Sequence, residues 1–154
     1  MRLRVAAVGR VKEPHWRAAC DEYLKRMRPY ATVEVVEIAD RDIGTEPAKA
    51  MAAEGADLLR AIPEGSYVIA LDLGGTQRTS ERFSEELAEL MVRGRSDITF
   101  VIGGSAGLAP DVLARADSTL ALSKMTLPHQ LARVVLLEQL YRAFKIMRNE
   151  PYHL

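Results

Sequence analysis

Two short loops and three histidines hold the residue types best suited to chemistry. Ile102-Gly103-Gly104-Ser105-Ala106-Gly107-Leu108 is a tight glycine loop. Glycines permit positive φ and let a ligand approach the backbone closely. The loop has no Gly-Lys-Ser/Thr and is not spaced G-x-G-x-x-G, so it is neither a P-loop nor a dinucleotide fingerprint. A plain turn accounts for it as well as a cofactor site does. The second loop, Leu122-Ser123-Lys124-Met125-Thr126-Leu127, sets apolar side chains beside small hydroxyls without glycine. That mixture suits a flat apolar ring hydrogen-bonded at its edge, as adenine would be. A hydrophobic staple at a helix start, with Thr126 as a candidate cap, is compatible with that reading and does not displace it.

Imidazole titrates near neutrality and suits proton transfer. His129 follows Pro128 beside the second loop, and His153 sits with Tyr152 in the C-terminal tail, whereas His15 beside Trp16 reads as incidental. No His, Asp or Glu spacing points to a metal, and there is no G-x-S-x-G. The single cysteine, Cys20, excludes an internal disulfide and reads as a packing residue.

The elements that must position these residues follow from periodicity. Strands are expected at Arg2 to Val8, Val33 to Ile38, Tyr67 to Leu71, Ile98 to Ile102 and Thr119 to Leu122. Helices are expected from Pro14 to about Met27, from about Glu46 to Ala61, from Ser80 (a cap) to about Arg93, from Pro110 to about Arg115, and from Pro128 to near Asn149. Five alternations of strand and helix predict one α/β domain with a mainly parallel sheet covered on both sides. Ligands of such sheets bind beyond the carboxyl ends of the strands, so the loops after Leu71, Ile102 and Leu122 are expected to share a site.

The last helix is apolar on two stripes: Leu131, Val134, Val135, Tyr141 and Phe144 on one, and Leu136, Leu140, Ala143 and Met147 on the other. One stripe can face the sheet, and a partner helix is expected to cover the second, which predicts a homodimer. A deep single-chain core is the competing account.

With 48% hydrophobic and 27% charged residues in 154, the composition is globular. No apolar stretch is long enough for a membrane, and Met1-Arg-Leu-Arg lacks a signal-peptide core, so a cytoplasmic protein is expected. The net charge of zero hides an asymmetry. Residues 1–30 hold eight Lys/Arg against three Asp/Glu, 31–123 eight against sixteen, and 124–154 five against two. Two basic ends make a polyanion-binding face if they meet in space, and ordinary solvated helix faces if they do not.

Four blocks in order, Phe100-Val-Ile-Gly-Gly-Ser-Ala-Gly-Leu108, Leu122-Ser-Lys-Met-Thr-Leu-Pro-His-Gln-Leu-Ala-Arg133, Glu138-Gln-Leu-Tyr-Arg-Ala-Phe-Lys-Ile146 and Pro151-Tyr-His, resemble the RlmH family of SPOUT-class methyltransferases. Arg4-Val-Ala-Ala-Val-Gly and Glu22-Tyr-Leu are similar too, so the resemblance spans essentially the whole chain. It implies methylation of N3 of a pseudouridine in helix 69 of 23S rRNA, in the large subunit or the assembled 70S ribosome. It also implies a single domain over residues 1–154 without an added RNA-binding domain, folded as an α/β knot with a deep C-terminal trefoil knot.

The implied cofactor is S-adenosylmethionine, held by Leu71, Gly103 and the loop Leu122, Ser123, Lys124, Met125, Thr126 and Leu127, with a dimer partner closing the site. Pseudouridine N3 must lose a proton, so His153 or His129 is expected to accept it. Arg133 or Arg142 would favour the anion, and Tyr152 would stack on or hydrogen-bond the base. Members commonly end on a basic residue where this chain has Leu154, which implies one lost phosphate contact. A knotted methyltransferase acting on tRNA and a non-catalytic ribosome-binding assembly factor are the alternatives.

Overall fold

The computed structural model describes residues 1–42, 44 and 46–153. Its elements run β1 (Arg2–Val8), α1 (Pro14–Met27), β2 (Thr32–Ile38), α2 (Pro47–Ala61), β3 (Tyr67–Thr76), α3 (Ser80–Val92), β4 (Asp97–Ile102), α4 (Pro110–Arg115), β5 (Ser118–Leu120) and α5 (His129–Met147). The five strands form one sheet in the order β2-β1-β4-β3-β5, with every pair parallel.

The period-2 alternation of the strands sorts their side chains onto two faces. Leu3, Val5, Ala7, Ile69, Ile98, Phe100 and Ile102 face the larger core beneath α1, α3 and α5. Ala6, Val8, Val68 and Val101 face a smaller core with Leu58 of α2 and Val112 of α4. Both sides of β1 and β4 are therefore buried, which is why those strands read as nearly continuous apolar runs.

Expected boundaries move in three places, two helix caps and the paired ends of β3 and β5. Ser80 is not the cap of α3: the Thr79 hydroxyl accepts the Arg82 N–H at 3.1 Å, while Ser80 Oγ donates to Gln139 Oε1 at 2.6 Å. Thr126 does not cap α5, whose N-cap is Pro128 with no side-chain bond. The third concerns β3, which continues past Leu71 to Thr76, and β5, which ends at Leu120 rather than Leu122.

Leu71 and Thr76 both pair with Leu120, and Ala121 N–H donates to Thr76 O at 3.0 Å, so residues 72–76 arch over the exit of β5. Gly75 permits that closeness, because a Cβ there would lie 3.1 Å from the Leu120 backbone. Arg78 clasps the arch, donating to Thr76 O (3.1 Å) and Thr119 O (2.8 Å).

Helix α5 lies between α1 and α3. Leu136, Leu137 and Leu140 are fully buried, and Tyr141, Ala143 and Phe144 nearly so. The stripe expected to need a partner helix is thus mostly covered within the chain, because two neighbouring helices flank α5 instead of one. Leu131, Val134, Val135 and Met147 remain half-buried.

Candidate functional site

The carboxyl ends of β3, β4 and β5 open into one cavity of about 520 Å³, a size suited to a cofactor. Its walls come from Leu71 to Leu73, from the glycine loop, and from the segment entering α5. Of the residues implied as cofactor contacts, Leu71, Gly103, Leu122, Ser123, Met125, Thr126 and Leu127 all line it. Lys124 is exposed and does not.

Local geometry explains the shape. A Cβ on Gly103 would come within 2.9 Å of the Gly107 carbonyl carbon and 3.1 Å of Leu108, so only glycine lets the loop fold back upon itself. Ser123 Oγ accepts the Met125 N–H at 2.9 Å, a tight turn that leaves Met125 78% exposed at the rim. Leu73, on the β3 arch, is 60% exposed on the same rim. Two apolar side chains held out in water beside an apolar cavity suit closure over a ligand.

Behind the glycine loop lies a residue that the sequence reading did not single out. Glu54 of α2 is 1% exposed and accepts the Arg41 N–H at 2.8 Å through Oε2. Its Oε1 has no partner and sits 3.1 Å from where a Gly104 Cβ would be. Burial pushes its carboxyl up, and neighbouring Asp40 adds to that against the Arg41 contacts. A glutamate on a helical core stripe is the one signal that pointed to it.

His129 lines the cavity, its ring lying 3.6 Å from where a Gly9 Cβ would stand. One turn on, Arg133 is 5% exposed, donating to Glu37 Oε2 at 2.6 Å and to Gly9 O at 3.1 Å. Arg133 is therefore not a group that could meet a substrate anion. It ties the first turn of α5 to the ends of β1 and β2. Burial raises the Glu37 carboxyl, but hydrogen bonds from Arg133 and the Val11 N–H outweigh it and the net shift is downward.

Arg142, Tyr152 and His153 lie elsewhere. None lines the cavity, and Arg142 is about 20 Å along α5 from His129 at 1.5 Å per residue. There they form a closed network. Arg142 donates to Glu138 Oε1 through Nη2 (2.7 Å) and to His153 Nδ1 through Nη1 (3.0 Å). A guanidinium only donates, so Nδ1 accepts and the ring proton sits on Nε2, facing Glu81 Oε1 at 2.6 Å. Tyr152 OH donates to Glu138 Oε1 at 2.9 Å, and burial together with that bond pushes the phenol up to about 12. Arg142 covers the Tyr152 ring at 4.7 Å, and Tyr141 meets it edge-on at 4.8 Å. In this arrangement neither Tyr152 nor His153 is free to receive a base. Leu154 lies outside the described residues.

The described residues contain no cluster of three or more His, Cys, Asp or Glu placed to hold a metal, and no helix long and apolar enough to cross a membrane.

Comparison with known proteins matches this architecture. A family model described as "Predicted SPOUT methyltransferase" covers residues 1–153. The chain is 46% identical to ribosomal RNA large subunit methyltransferase H of Ruminiclostridium cellulolyticum (strain H10) and 48% identical to the protein of that name from Lacticaseibacillus casei (strain BL23), each over 99% of both chains. Among solved structures it resembles a "probable methylase family protein" of Haemophilus influenzae Rd KW20 at TM-score 0.56 and 13% identity, over 99% of this chain and 70% of that one. A structure concerned with 2-OH methylation of C/U34 on tRNA matches at TM-score 0.51 and 18% identity, over 97% and 98% of the two chains. At those identities the structural likeness shows the fold alone. The family model and the close relatives show more: the chain is a methyltransferase, and it belongs to the SPOUT methyltransferase family, in the group of ribosomal RNA large subunit methyltransferase H proteins.

Proposed function

We propose that this enzyme methylates 23S rRNA from S-adenosylmethionine, at N3 of a pseudouridine in helix 69, on the large subunit or the assembled ribosome. The observation that carries the reading is full-length identity of 46–48% to ribosomal RNA large subunit methyltransferase H proteins. The apolar cavity with Ser123 and Thr126 at its edge fits the adenosine of the cofactor. When bound there, S-adenosylmethionine supplies an electrophilic methyl group on sulfur.

The protein's own task is then to orient two reactants in line and to take up the N3 proton. Leu71, Gly103 and the Leu122 to Leu127 loop orient the donor. His129 stands at the cavity wall. His153 and Tyr152 are the preferred pair for the base, with Arg142 favouring the anion.

The separation of tail and cavity along α5 gives the dimer its role. A neighbouring copy brings its tail over this chain's cavity and opens the Glu81–His153–Arg142 network, freeing Nδ1 to accept the proton. We take residues 1–154 as one domain with a deep trefoil knot, a reading supported by the arch of residues 72–76 over Leu120.

Transfer from labelled cofactor to intact ribosomes, free large subunits and tRNA, followed by mapping of the label, tests the reading. Methylation of tRNA alone would refute it, and failure to bind S-adenosylmethionine would favour a non-catalytic assembly factor. A His153→Ala enzyme that binds cofactor normally and methylates at the normal rate would remove the tail from the mechanism. Mixed dimers of Gly103→Val and His153→Ala chains should recover part of the activity that each lacks alone.

A further inference from the structure

The two basic ends of the chain do meet. The last turns of α1 and α5 converge on Tyr30, whose ring stacks on Phe144 at 5.7 Å and is covered by Arg148 at 4.8 Å and Lys145 at 5.6 Å. Arg26 and Lys145 share the next ring, Tyr141, at 5.7 and 5.6 Å. Lys25, in the last turn of α1, and Arg28, at its C-cap two residues before Tyr30, are exposed.

Neutralising a helix end takes about one cation, and five gather here at two ends. Arg26 is paired with Glu22 (3.0 Å) and Lys145 with Glu150 (3.0 Å). Among the described residues Lys25, Arg28 and Arg148 have no acidic partner within 4.0 Å. Resting a guanidinium on an aromatic face fixes its orientation while leaving its edge N–H groups outward. With Phe144, Arg148 and Lys145 all gathered on the Tyr30 ring, what the patch presents is positive charge, and its chemistry suits phosphate oxygens.

We propose that this patch, Lys25, Arg26, Arg28, Lys145 and Arg148 around Tyr30, grips the phosphate backbone of the substrate RNA. The proposal rests on the reading of the enzyme as an rRNA methyltransferase. The patch lies at the tail end of α5, away from the cavity of its own chain, and none of its five cations lines that cavity, so cofactor affinity reads separately from RNA binding.

The test is the Arg28→Glu/Arg148→Glu variant, measured for binding to ribosomes and to an isolated RNA hairpin across a salt series, for cofactor affinity by calorimetry, and for oligomeric state by sedimentation. Affinity for both RNAs should fall at least about tenfold, and the slope of log K against log salt should become shallower by about 1–2. Cofactor affinity and oligomeric state should match the parent. Unchanged RNA affinity and slope would overturn the proposal. So would a change of oligomeric state, which would make the patch an interface between copies. The hairpin arm reads the patch even if the parent enzyme leaves ribosomes unmethylated, so failure of the functional reading stays distinguishable.

Discussion

Arg133→Met probes the tie between the core and the site. The substitution keeps the aliphatic volume of Arg133 but removes its donors to Glu37 and Gly9 O. The Glu37 carboxylate then keeps only the Val11 N–H at 3.1 Å, and Gly9 O loses its side-chain donor. Breaking a fully buried pair costs about 3–5 kcal/mol. The Glu37 side chain is 29% exposed, so water softens the loss, and about 2–3 kcal/mol is expected. At this chain length that lowers the melting temperature by roughly 5–10 °C.

A pH dependence accompanies the loss. The Glu37 carboxyl titrates lower in the folded chain than in the unfolded one. Its stabilising contribution is therefore full above the ordinary carboxylate range and disappears as pH falls through the lowered native value. The variant should lack that acid-dependent loss. Replacing both partners, Arg133→Met with Glu37→Leu, should abolish the acid-dependent loss while leaving a deficit of about 1–3 kcal/mol, because the charges are gone but the Val11 N–H and Gly9 O have lost their side-chain partners. Circular-dichroism melts between pH 3 and pH 7 measure all three proteins, those values being set at about the carboxylate range and neutrality. An Arg133→Met protein melting within about 2 °C of the parent, with the same acid profile, would refute the argument.

The glycine loop and the buried glutamate supply the other expectations. Gly103→Ala forces a Cβ to 2.9 Å from Gly107, and an overpacking strain of about 1–3 kcal/mol at the cavity wall should raise the cofactor dissociation constant roughly five- to 150-fold by calorimetry. Glu54→Gln keeps an acceptor for the Arg41 N–H without a buried charge. The raised Glu54 carboxyl destabilises the fold only once it ionises, so the penalty is absent below the ordinary carboxylate range and complete above the raised native value. Urea titrations should accordingly show the variant gaining about 1 kcal/mol on the parent between mildly acidic and neutral pH.

Much of this molecule is legible in one dimension. Apolar period-2 and period-3.6 patterns report which face of a local element is dry, and they give α1 as Pro14–Met27, α4 as Pro110–Arg115 and the parallel order of strands and helices. The carboxyl-end rule gathers Leu71, Gly103 and the Leu122 to Leu127 loop into one cavity. Chemistry types and their local spacing do not encode which distant surfaces touch. Arg133 carries the same charge as Arg142, yet one is a buried strut beneath the cavity and the other belongs to a network at the far end of the same helix. The arch of residues 72–76 was unreadable because its pairing partner, Leu120, lies far along the chain. Likewise the charge counts of two termini became a surface only when α1 and α5 packed side by side. The sequence by itself determined the order of the elements, the two loops that line the cavity and the family. Tertiary packing alone decided that the cavity and the Tyr152–His153 tail stand at opposite ends of α5, because helix length, not residue type, sets that distance.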